Sequence, residues 1–145
     1  MDKKIDIDTL IDASVSFSNA LKTAKVLESE DFSKIFYMKE TVRASVIHHF
    51  EFTYELALKT MKSFIEIADG KIENLSNAQL LKKAKKLRVI KDYKKWREFH
   101  QIRNLISLAY DHIVIDTIYE VAKEFKIYLD KFIDALKIKI DENTN

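Results

Sequence analysis

Arg103, Ser107, Tyr110 and Asp111 stand at i, i+4, i+7 and i+8 within the stretch REFHQIRNLISLAYDH (97–112). On one continuous helix those positions form a single polar face. Ile102, Ile106, Ala109 and Ile113 form the opposing apolar face, and Leu105 and Leu108 widen it. A guanidinium holds phosphate or carboxylate oxygens in a planar fork, so Arg103 is a candidate anion contact. Tyr110 adds a hydroxyl, and Asn104 and Asp111 add further polar groups beside it. A structural role accounts for the same pattern: Arg103 pairs with a carboxylate of the fold, and Tyr110 packs with its hydroxyl satisfied.

Two carboxylates, Glu51 and Glu55, lie one turn apart in HHFEFTYEL (48–56). Either would orient an arginine placed opposite, or would simply form a salt bridge between helices. His48, Glu51 and Glu55 recur at i, i+3 and i+7, the spacing of half a carboxylate-bridged metal centre. Such a centre needs a second Glu-x-x-His helix, which the sequence lacks, so no metal and no cofactor are expected. Between Leu80 and Arg103 the chain carries ten Lys/Arg against two acids, Asp92 and Glu98. That segment suits phosphates, or is a solvated lysine-rich helix face.

The elements that position these residues follow from composition. The 145 residues include no proline, no cysteine and one glycine, Gly70, which argues for long helices and against hairpins. One domain spanning 1–145 is expected, with its core about 9–140 and a frayed tail at 141–145. The first helix is expected at about 9–27 and the second at about 37–68, capped by Gly70. A short third helix is expected at 77–87, with Ser76 as N-cap and Gln79 completing a capping box. A fourth is expected at about 92–108 and a fifth at about 113–140. Long helices with short connections give an all-α, up-and-down bundle of four to five helices. The apolar stripes are broad and aromatic-rich, and some of that surface suits a homodimer.

Charged residues make up 33% of the chain, with a formal net charge of +2. Net charge therefore does not point to nucleic acid. Without cysteine there is no disulfide framework and no thiolate site, and a reducing cytoplasm is the expected home. The opening MDKKIDIDTL has no apolar core, so no signal peptide is expected, and no run is long enough for a membrane span.

The segments RASVIHHFEFTYELALKTMKSFIE (43–66) and RNLISLAYD (103–111) together resemble the HEPN domain family. More closely, they resemble the small nucleotidyltransferase substrate-binding proteins within it. The family's second-helix pattern matches at Phe50, Glu51, Phe52, Thr53, Tyr54, Glu55, Leu56, Ala57 and Lys59. Its later pattern, Arg-Asn-x-x-Ser-His-x-Tyr-Asp, matches at Arg103, Asn104, Ser107, Tyr110 and Asp111. The departure is Leu108, which stands where the family has histidine.

The resemblance implies a HEPN-like bundle that homodimerises so that two Arg/His pairs meet in one cleft. Such proteins resemble metal-independent ribonucleases, the histidine moving protons and the arginine holding the scissile phosphate. It also implies a partner, a minimal nucleotidyltransferase, in a toxin–antitoxin-like system in which the tyrosine at Tyr110 can be adenylylated. Leucine neither moves a proton nor accepts a hydrogen bond, so Leu108 removes a contribution of order 10²–10⁴ in rate. His100 and His112 are the only nearby candidates to replace it. The expectation is a partner- and RNA- or nucleotide-binding subunit with impaired ribonuclease activity. The alternatives are an active ribonuclease using His100 or His112, and a non-catalytic adaptor bundle.

Overall fold

The computed structural model describes residues 5–29, 36–71, 73–108 and 112–144. Five α-helices follow in order: α1 (Asp8–Ser29), α2 (Phe36–Asp69), α3 (Asn77–Lys86), α4 (Tyr93–Leu105) and α5 (His112–Thr144). A single 3-10 turn, Ile106–Leu108, follows α4. The architecture is the all-α bundle that the glycine- and proline-poor sequence predicts. Helix α1 packs mainly on α2, α5 runs against α1, α2 and α4, and the short α3 bridges α2 and α4.

The caps explain where the helices stop. Gly70 takes φ +88°, and its N–H reaches the Glu66 carbonyl at 2.9 Å, ending α2 in the left-handed conformation that glycine adopts without strain. Ser76 and Gln79 form the reciprocal capping box at the start of α3. Asp92 caps α4 by accepting from the Lys95 N–H at 3.1 Å. At the end of α3 the Arg88 N–H bonds the Lys85 carbonyl and the Val89 N–H bonds the Ala84 carbonyl. That is a Schellman pattern, and it puts Arg88 at φ +64°, a place usually held by glycine.

The core is aromatic. Phe125 of α5 lies at its centre, with Phe17, Phe50, Tyr54, Trp96 and Phe99 around it at centroid distances of 5.1–6.4 Å. Most pairs meet edge to face, the geometry ring quadrupoles prefer. Thr53 is fully buried on the same face of α2 and spends its hydroxyl on the His49 carbonyl at 2.6 Å. Among the described residues no buried side-chain nitrogen or oxygen lacks a hydrogen-bond partner.

Three expectations need correction. The spacing predicts a fourth helix to about 108, but the α-helical geometry ends at Leu105 and a 3-10 turn takes over. Leu105, expected to widen the apolar face, is 38% exposed, because steps of three residues from Trp96, Phe99 and Ile102 drift around the 3.6-residue helix and carry it off the buried face. The tail expected to fray from 141 is helical through Thr144. No helix among the described residues is long and apolar enough to cross a membrane.

Candidate functional site

The site forms where α4 lies across α2. Helix α4 buries Trp96, Phe99 and Ile102, which rotates His100 and Arg103 toward α2 at the edge of the core. There Arg103 Nε donates to Glu55 Oε1 at 2.5 Å. Both side chains stay partly in water, at 32% and 43% exposure, so solvent screens the pair. Of the two carboxylates the sequence offers, Glu55 makes the contact. Glu51 is half-buried one turn earlier on α2.

One turn before Arg103, His100 meets the hydroxyl of Tyr54 at 3.0 Å through Nδ1. Tyr54 is fully buried. Burial pushes its phenol well above the usual range, against the side chain of Asn77, which hydrogen-bonds it and favours the ionised form. Arg97 Nη1 in turn reaches Asn77 Oδ1 at 3.5 Å. Arg97 donates to Asn77, and the Tyr54–His100 bond runs in either direction according to the imidazole tautomer. Burial, with the charges of Arg97 and Arg103, holds His100 below its usual pKa, while Glu55 opposes them. A neutral imidazole accepting at Nδ1 carries its proton on Nε2. The other tautomer donates from Nδ1 to the Tyr54 oxygen and leaves the Nε2 lone pair free.

Asn104 and Ser107 are exposed at the end of α4 and in the 3-10 turn, where the Ser107 hydroxyl donates to the Asn104 carbonyl at 3.3 Å. The single polar face expected through residue 111 assumes unbroken α-helical geometry. Beyond Leu105 a 3-10 turn, Ile106–Leu108, replaces that geometry, so Ser107 does not continue α4 as one α-helix. Tyr110 and Asp111 lie outside the described residues. The backbones of Leu108 and His112 are described, and their side chains are not. Among the described residues no group of three or more His, Asp or Glu side chains is placed to hold a metal ion.

Sequence reasoning does not single out Tyr54 and Asn77 as partners of His100. The signal is present all the same. Phe50, Tyr54, Ala57 and Met61 share one apolar stripe, and a tyrosine on such a stripe needs a partner for its hydroxyl. What the sequence cannot supply is which α4 residue crosses at that height.

Comparison with known proteins places this geometry in a family. Residues 6–138 match the family described as nucleotidyltransferase substrate binding protein like. A Haemophilus influenzae protein named "Probable ribonuclease HepT" is 29% identical over 103 residues, covering 69% of this chain and 70% of that protein. A solved Haemophilus influenzae structure, titled as revealing the fold of a substrate binding domain of a nucleotidyltransferase, superimposes with a TM-score of 0.83. It is 25% identical, and the match covers 91% of this chain and 99% of that one. With the fold shared almost end to end and the family pattern matched across nearly the whole sequence, the chain belongs to the nucleotidyltransferase substrate-binding protein family.

Proposed function

We propose that the chain is the HEPN-type subunit of a two-component, toxin–antitoxin-like system. It homodimerises, binds a minimal nucleotidyltransferase and holds RNA or a nucleotide at Arg103, and its ribonuclease chemistry is impaired by Leu108. The observation that carries the reading is the Arg103–Glu55 contact. It fixes the motif arginine at the bundle surface with its charge partly exposed, as an anion contact requires. Glu55 is the positioning residue in this scheme, since it touches only the arginine. Tyr110 is the acceptor for adenylylation by the partner, and Asn104, Ser107 and Asp111 border it in sequence.

The test is co-expression with a minimal nucleotidyltransferase, followed by co-purification and light scattering. The expected result is a stable complex, and a free protein with twice the 17.0 kDa mass of one chain. A monomer that passes the partner without binding contradicts the proposal.

A further inference from the structure

Seven basic residues gather at the corner made by α3, the turn after it and the first turn of α4: Lys82, Lys83, Lys85, Lys86, Arg88, Lys91 and Lys94. All but Lys83 are exposed. Helix α3 buries Leu80, Leu81 and Ala84, which leaves the lysines on its outer face. The two elements form one surface, since Lys82 Nζ lies 5.9 Å from the centre of the Tyr93 ring on α4. Among the described residues none of the seven is in an ion pair. Lys95, one residue past the corner, by contrast binds Glu98 and Glu124.

The surroundings favour a nucleic-acid backbone over a protein. Among the described residues, the large apolar ones left exposed, such as Val15, Val26, Phe52, Ile127 and Ile138, lie outside 71–104. Protein interfaces need an apolar centre and are depleted in lysine, whereas phosphate contacts are made by unpaired Lys and Arg. Lys82 and Lys86 stand one helical turn apart on the same face, a spacing of about 5–6 Å that can serve successive phosphates.

Arg88 adds an independent indication. It occupies the left-handed position of the Schellman turn, φ +64°, where glycine would fit without strain. The exposed side chain makes no ion pair among the described residues that would explain an arginine there. Strain retained at an exposed cation points to use of that cation.

We propose that this α3–α4 corner is a docking surface for the sugar-phosphate backbone of RNA, separate from the Arg103–Glu55 contact, with Arg88 presented from its strained turn. The inference rests on the RNA-binding part of the proposed function. It is tested by titrating the protein into a short labelled single-stranded RNA of mixed sequence, over a series of salt concentrations. The variants are Lys82→Gln/Lys86→Gln, Arg88→Gly and Arg103→Ala. For single strands the slope of log affinity against log salt falls by about 0.7 for each phosphate that the protein no longer neutralises, so the double variant flattens it by about 1.4. Arg88→Gly weakens binding while its melting temperature stays at or above that of the parent, which separates binding from folding.

If the corner variants bind with unchanged affinity and slope while Arg103→Ala does not bind, the docking surface is wrong and the Arg103 reading stands. If the parent binds no RNA even at low salt, the docking surface falls together with the RNA part of the proposed function. If the double variant binds RNA normally and instead loses the nucleotidyltransferase, the corner is a protein contact and the inference is overturned.

Discussion

Arg103 and Glu55 exchange a short charged hydrogen bond at the bundle surface, and their partial exposure sets what that bond can do. Screened pairs of this kind contribute at most about 1 kcal/mol, so Glu55→Gln should shift stability by less than that in a denaturant titration. Its larger effect should be on RNA or nucleotide affinity, through a mispositioned Arg103. The Tyr54 hydroxyl makes a second contact at this edge of the core. Tyr54→Phe removes a hydrogen-bond partner of His100 and Asn77, both partly buried, which should cost about 1 kcal/mol by the same titration. His100 also fixes an acid limit. Burial and Arg97 hold its pKa below the unfolded value of 6.5, so on acidification the unfolded chain protonates first. Stability is full above pH 6.5 and falls as the pH drops toward the folded pKa. His49, whose pKa burial and then His48 lower, adds a loss of the same sign. His100→Gln should flatten the decline in melting temperature between about pH 7 and pH 5.

The helices carry most of what is legible in the sequence. Stripes such as Val46, Phe50, Ala57 and Met61 on α2, and Ile118, Phe125, Leu129 and Phe132 on α5, are buried as their spacing predicts. Gly70, Ser76 and Gln79 end or begin helices for the local reasons that make them visible. Ser76→Ala should therefore cost about 1 kcal/mol, read as a lowered denaturant midpoint with unchanged slope. What stays illegible is tertiary. No residue pattern announces the break at Ile106, because the run 102–113 holds neither glycine nor proline to mark it. Ala68 continues the apolar spacing of Ala57, Met61 and Phe64 on α2 and is nonetheless exposed. Arg88 in a left-handed conformation is likewise invisible to a rule that looks for glycine at that position.

At the scale of the molecule, one aromatic cluster ties α1, α2, α4 and α5 together, and the same packing holds the site in place. Phe125→Ala removes the ring at its centre, and should cost about 3–5 kcal/mol in a denaturant titration. Outside the core, Phe52 is 51% exposed one turn before Glu55, the partner of Arg103, on α2. An apolar surface beside the motif arginine suits the proposed homodimer, so Phe52→Glu should reduce the particle from dimer to monomer in light scattering. The central claim concerns the chemistry of that dimer: the arginine is in place and the proton carrier is missing. The direct test is RNA cleavage by the purified protein, beside its Leu108→His variant, with EDTA present. Cleavage by the histidine variant alone is the predicted result. Cleavage by the parent chain, or by neither protein, would contradict the account.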